Sequence, residues 1–420
     1  MFSRRHFVLG TLGLPALAEK KSAAAPPNLV LVLADQLGSW MLGCHGNREI
    51  KTPNIDRFAQ TGARFAASFV ATPAAAGGRS SFLTGRTPMQ LGGDGASASA
   101  SHASEVMLSD ILSQAGFNCG YAGNWDLGGG GEPQHHFSFW QAGAGLAPDA
   151  VTAQACRFIE QQAVGKPFFL TVSLPMPFDA PGQSFTQMYE QVKFDSVGYE
   201  SAAATAAGNQ DKVKSPVASI RRAAAAATAL DSQLPPVIEA LRKRGVLDNT
   251  LIVFTSVGGA LLGRHGLWGG GLASDPANMF EETVAVPMIW SWPARIPPAS
   301  LRPELICSYD FVPTICDLMD VPVPGRNLCG RSYLLPAMSR PLPKKEPWRN
   351  LVFGGLRETR MARDNRYKLV LRHNSDGPNE LFDIAGDPRE KVNQYDNPQF
   401  VSVRERLSSD LAAWAKKYSS

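Results

Sequence analysis

Three short, largely apolar runs constrain the fold of this chain most: Asn28-Leu-Val-Leu-Val-Leu-Ala34, Phe168-Phe-Leu-Thr-Val-Ser-Leu174 and Asn249-Thr-Leu-Ile-Val-Phe-Thr-Ser256. The first two are continuous rather than alternating, and such runs predict strands buried on both faces of a parallel sheet. Between them lie helical stripes, Leu108-Ile111-Leu112-Ala115 stopped by Gly116, and Leu230-Leu234-Val237-Ile238-Leu241 closed by Gly245. Pro235-Pro236 marks a helix start inside the second stripe. At 420 residues the chain accommodates a large α/β domain with a smaller one attached. The first run delivers Asp35 and Gln36 at its carboxyl end, the edge at which open α/β sheets bind ligands.

A formal charge of +4 with no domain-length basic stripe argues against a nucleic-acid groove. No apolar run reaches the ~18 residues of a membrane span. Ser3-Arg4-Arg5-His6-Phe7-Val8, the apolar run to Ala18 and the small residues of Ala16-Leu17-Ala18 have the layout of a twin-arginine export leader. The expectation is a bacterial protein, periplasmic or secreted. Cys44, Cys119, Cys156, Cys307, Cys316 and Cys329 contain no C-x-x-C pair, and disulfides and buried thiols both stay open.

The central stretch is Thr72-Pro-Ala-Ala-Ala-Gly-Gly-Arg-Ser-Ser-Phe-Leu-Thr-Gly-Arg86, which reads as a loop entering a short helix over Arg79 to Thr84 that stops at Gly85. Its helix start, with Arg79 and Ser80, suits an anion. Arg79-Ser-Ser-Phe-Leu-Thr-Gly-Arg86 resembles the second half of the sulfatase signature C/S-x-P-x-R-x-x-x-L-T-G-R, whose cysteine is oxidised to the nucleophilic formylglycine. Thr52 to Arg57, Gly123-Asn-Trp-Asp-Leu-Gly128, Asn249 to Ser256, Gly263-Arg-His-Gly-Leu-Trp-Gly269 and Glu380-Leu-Phe-Asp383 carry the same resemblance. It implies an alkaline-phosphatase-like α/β fold. The large domain, residues 26–340, has a central mixed sheet between helices; a small C-terminal domain, 341–420, has antiparallel strands and a helix; residues 1–25 form the leader.

The departures from the family's pattern fall on its chemistry. Ala75 stands at the nucleophile, Gln36 at an aspartate, Asn124 and Asp126 at a lysine and a histidine, Phe178 at a histidine, Val257 and Gly258 at a metal-binding pair, and Gly270 at a lysine. Asp35 and Arg79 keep the family's residues. The family's calcium needs ~6 to 8 oxygen ligands, and Asp35 with Gln36 cannot supply them, so no cofactor is expected beyond a weakly held divalent cation at these two residues. The resemblance thus implies a pseudoenzyme that binds an anionic or sulfated small molecule or glycan through Arg79 and Ser80, or serves as a partner subunit. A hydrolase of sulfate or phosphate esters using Asp35, Asp126 and Ser80 is the alternative.

Overall fold

The computed structural model describes residues 26–97, 105–128, 134–163, 165–323, 327–373 and 377–418. The export leader, and parts of the Gly95–Ser104 and Gly128–Gly131 loops, lie outside them. The large sheet comprises β1 (Asn28–Ala34), β2 (Ala63–Phe69), β3 (Asn118–Gly123), β4 (Phe139–Ala142), β5 (Phe168–Leu174), β6 (Thr250–Ser256), β7 (Met288–Ser291) and β8 (Ser300–Cys307). Their spatial order is β4-β3-β5-β1-β6-β7-β2-β8, and β7 runs antiparallel to both neighbours. The remaining pairings are parallel, which makes the sheet mixed.

β1 is at the centre, paired to β5 and β6, and all its residues are buried. Its alternate side chains serve two different cores, as a two-residue period requires. Val30 and Val32 face helices 53–60, 148–160, 216–231 and 234–243, whereas Leu29, Leu31 and Leu33 face helices 75–84, 108–114 and 311–319. This sandwich of helices on both faces explains why β1 carries no polar alternation and why even Thr171 and Ser173 of β5 are buried.

The small sheet has the order β12-β11-β10-β9, all antiparallel: β9 (Leu351–Leu356), β10 (Thr359–Asp364), β11 (Tyr367–Arg372) and β12 (Glu380–Asp383). One face packs on helix Val401–Tyr418 through Leu407 and Leu411, with Trp414 stacked on Phe353 at 4.9 Å. The other face, with Val352, Leu356, Met361 and Val370, packs on Phe69, Ala71 and Leu305 of the large domain.

Local expectations change in three places. Helix Ala75–Thr84 begins four residues before Arg79, at the end of an extended Ala74, and stops at Gly85 with φ of 70°. Glu281-Glu-Thr-Val-Ala-Val-Pro-Met-Ile-Trp290 reads in sequence as one buried strand, but Glu281–Val284 is a short helix, and only Met288–Ser291 joins the sheet. The Leu230–Leu241 stripe is two helices, Pro216–Asp231 and Leu234–Lys243, because Pro235 and Pro236 fit only a first turn. All six cysteines are free thiols. Burial pushes Cys119 and Cys307 up to about 12, so both are unreactive at neutral pH.

The two sheets are tied by a buried ionic cluster. Lys368 of β11 donates to the Met279 carbonyl at 2.6 Å and contacts Glu281 at 3.3 Å and Glu390 at 2.5 Å, while Arg363 reaches Glu281 at 3.2 Å. Burial pushes Glu390 from 4.5 up to about 8 against the pull of Lys368, with Glu281 and Glu282 adding to the rise. The folded state therefore keeps a proton that the unfolded state releases above 4.5. This contribution to stability is full below 4.5 and is lost as pH rises to about 8. Urea melts between about pH 5 and about pH 8 are expected to show stability falling with pH, and Glu390→Gln is expected to flatten that slope. An unchanged slope would exclude Glu390 as its source.

Candidate functional site

The carboxyl ends of β1, β3, β5 and β6 and the start of helix Ala75–Thr84 meet at one place. The glycine pair in that helix makes the approach possible: a Cβ on Gly78 would lie 2.0 Å from the Val257 carbonyl oxygen just beyond β6. No other residue lets the first helical turn rest on that backbone.

Arg79 is completely buried at the floor of this region. Its guanidinium is held from four directions. Nη2 donates to Asp35 Oδ1 at 2.8 Å and to Ser173 Oγ at 3.1 Å; Nη1 donates to Asp126 Oδ2 at 2.8 Å and to the Trp125 carbonyl at 3.3 Å; Nε donates to Ser173 at 3.3 Å. A guanidinium has five N–H donors, and all of them are committed. Asn124 Nδ2 donates to the other Asp35 oxygen at 2.7 Å.

Asp35 is 7% exposed. Burial lifts its carboxyl above the usual range, opposed by the Arg79 charge and the Asn124 hydrogen bond. Arg79 is likewise opposed by burial, but Asp35, Tyr121 and Asp126 outweigh that and hold its proton more firmly than usual. Short charge-assisted contacts at 2.8 Å are those of an ionised pair.

Above this floor is a cleft of about 570 Å³, and Gln36, Ala75, Asp126, Val257, Gly258 and Gly270 all line it. The structure thus gathers the mapped positions that sequence spacing scattered over more than half the chain. Phe178 is not among the lining residues; it packs partly buried against the core on the Val30 face of the sheet. Ser80 is also absent from the lining, being buried with its hydroxyl donated to the Gly77 carbonyl at 3.0 Å.

The expected anion site at Arg79 and Ser80 is therefore corrected. Arg79 has no free N–H, Ser80 faces its own helix, and the helix start lies at Ala75. Among the described lining residues the single charged side chain is a carboxylate, Asp126, whose side chain is 37% exposed. At about 6 Å and an effective dielectric of about 20, an isolated carboxylate repels an anion by about 3 kcal/mol, and the Arg79 charge paired with Asp126 offsets part of that while Asp35 offsets Arg79 in turn. A helix start attracts one by only about 0.3–1 kcal/mol. The carboxylate wins, and Arg79 is already shared between two carboxylates.

The residues present do not fit a calcium ion. Both Asp35 oxygens are taken, one by a guanidinium that would oppose a second cation at the same place, and Val257 and Gly258 bring no side-chain oxygen. Among the described residues no group of three or more His, Cys, Asp or Glu side chains is arranged to hold a metal. The histidines nearest these segments are held by protein partners. His265 stacks on Phe280 at 3.7 Å and reaches Glu282 at 3.4 Å, and His135 and His136 share the carboxylate of Asp110.

Sequence reasoning missed Ser173, Asn209 and Trp268. Ser173 carried one signal, a hydroxyl next to the carboxyl end of a buried strand, where it needs a polar partner. Trp268 carried another, its place in the Gly263–Gly269 segment two residues before Gly270, whereas Asn209 lines the cleft from a loop distant in sequence and carried none.

Comparison with known proteins gives one answer. The profile of the family described as Sulfatase matches residues 27–321, and that of the N-sulphoglucosamine sulphohydrolase C-terminal region matches 271–417. An N-acetylglucosamine-6-O-sulfatase of Bacteroides thetaiotaomicron is 24% identical, over 98% of this chain and 90% of the relative. Arylsulfatase A of Homo sapiens is 28% identical over 76% of this chain and 69% of its own length. Among solved structures, a complex with D-glucosamine-2-N,6-O-disulfate superposes with a TM-score of 0.79 at 21% identity, covering 94% of this chain and 98% of the other. A phosphonate monoester hydrolase of Agrobacterium radiobacter superposes with a TM-score of 0.74 at 20% identity, covering 93% and 96%.

Proposed function

Since the chain belongs to the sulfatase family, we propose that it is a non-hydrolysing member, a pseudoenzyme that keeps the family's cleft as a binding site for a saccharide rather than for the anionic group expected at Arg79 and Ser80. The observation that carries this reading is the pairing of Ala75 in the cleft with an Arg79 whose donors are all committed to protein groups. Ester hydrolysis needs a nucleophile and a stabiliser for developing negative charge. Ala75 offers no nucleophilic atom. Ser97 is the one hydroxyl among the described lining residues, and no histidine or lysine lines the cleft beside it to activate it.

The arrangement also explains how such a protein stays folded. Catalytic cations and metal ligands are missing together, and the buried Arg79 charge is matched by Asp35, while Asp126, 37% exposed, keeps its remaining negative charge at the solvent side. The leader pattern at Ser3 to Ala18 supports export to the periplasm or beyond, where sulfated glycans are met. The glycan names printed for the relatives support a saccharide as the ligand class.

The test is turnover of an aryl sulfate and an aryl phosphate by the purified protein with calcium, magnesium or manganese added. No rate above buffer is expected under any of these conditions. A metal-dependent rate abolished by Asp126→Ala would refute the proposal and establish the alternative, a hydrolase with an unorthodox site.

A further inference from the structure

We infer that the cleft accepts an uncharged saccharide and discriminates against its sulfated counterpart, the reverse of what the family resemblance implies. The inference rests on the non-hydrolytic reading and adds the charge and chemical class of the ligand. It comes from the inventory of groups that a ligand would meet. The positions at which the resemblance implies cations hold an amide, a carboxylate and a glycine, and the remaining cation, Arg79, is sealed behind Asp126 with every donor engaged.

What does face the cleft is a set suited to hydroxyl groups. Asp126 uses one carboxylate oxygen on Arg79, and no hydrogen bond to its other oxygen is found among the described residues. Gln36 and Asn209 are exposed, and their side-chain amides hold no hydrogen bond among the described residues. A carboxylate accepts from hydroxyls, and a primary amide both accepts and donates, so these groups match neighbouring sugar hydroxyls. Half-buried Leu272 and the edge of Trp268, 6% exposed, add an apolar contact for the C–H groups of a sugar.

There is room at the floor. A Cβ on Gly258 would meet nothing nearer than 3.6 Å, so the cleft remains open where the family's metal-binding pair would stand. A sulfate placed there would meet Asp126 with no cation free to offset it, and like-charge contact of this kind lowers affinity rather than raising it.

The experiment is calorimetric or ligand-observed NMR titration with matched pairs: N-acetylglucosamine and N-acetylglucosamine 6-sulfate, and galactose and galactose 6-sulfate. The expected result is saturable binding of at least one neutral sugar, with its sulfated partner roughly tenfold weaker or more. Asp126→Asn, which keeps the size and a hydrogen-bond acceptor, is expected to bring the two to within about threefold. Asn209→Ala, in an exposed loop, is expected to weaken the neutral sugar without changing the ratio. Binding of the sulfated sugar as tight as or tighter than the neutral one would overturn the inference, as would no binding of any probe at about 10 mM or an unchanged ratio in Asp126→Asn. Sulfate release during the titration would instead refute the non-hydrolytic reading itself.

Discussion

Replacing Arg79 by methionine is expected to destabilise the protein by about 3–5 kcal/mol at neutral pH, the range for removing one member of a buried ion pair. Methionine fills much of the space, so the loss isolates charge rather than a cavity. The guanidinium is fully buried and bridges Asp35 and Asp126 at 2.8 Å each, and its loss leaves Asp35, 7% exposed, with only Asn124 as partner. The sign with pH follows from the carboxyl. Burial already lifts Asp35, and without Arg79 it rises further, so the folded variant holds a proton that the unfolded chain releases above 3.8. The deficit is expected to shrink as pH falls toward 4, and Asp35→Asn added to Arg79→Met is expected to recover part of it. Urea denaturation at two pH values measures both effects. A deficit below about 1 kcal/mol would show that Asp35 is compensated by something other than Arg79.

Lys368→Met is expected to have a comparable effect through a different part of the molecule. Lys368 and Glu390 are both fully buried in their side chains, and Glu281 is 16% exposed. Removing the ammonium leaves Glu281 with Arg363 as its cation and leaves Glu390, already held protonated by burial, without the charge that opposed that rise. The loss is expected to be about 3–5 kcal/mol at neutral pH. It should fall on the junction between β11 and the Met279–Glu281 segment, so amide exchange in β9 to β12 is expected to rise more than in β1 and β5. Adding Glu390→Gln to Lys368→Met replaces a carboxyl that must stay protonated beside Glu281 and is expected to restore stability in part. Equal exchange increases in both sheets would place the damage elsewhere than the junction.

The contrast between these two clusters and the thiols shows what burial alone does. Cys307 is pushed up to about 12 and stays neutral at no cost to folding, since a thiol is the form the interior prefers. Arg79 and Lys368 are charged in the interior only because carboxylates surround them. Each is therefore a place where one substitution has a large effect and a compensating second substitution a smaller one.

How much could be read from the chain depended on how local the physical cause was. β1 and β5 begin and end where their apolar runs do, because burial on both faces is written into consecutive residues. Gly85 and Pro235 likewise act on their own backbone, and the helix limits they imply hold to within a residue or so. Glu281 to Trp290 misled because Glu281–Val284 turns as a helix to meet the small sheet, a long-range requirement that leaves no periodicity.

The site divides the same way. Sequence alone determined that Ala75 carries no nucleophile and that Val257 and Gly258 bring no metal ligand, since the absence of an atom needs no neighbour to interpret it. It could not determine whether Arg79 is available to a ligand. That depends on Asp35, 44 residues away, on Asp126, 47 away, and on Ser173, 94 away. A sequence displays a charge but not its compensation, because electrostatic partners are chosen by distance in space. Only the tertiary structure, by closing every donor of Arg79 onto the protein and leaving Asp126 toward the cleft, turned an expected anion site into a cleft without a free cation.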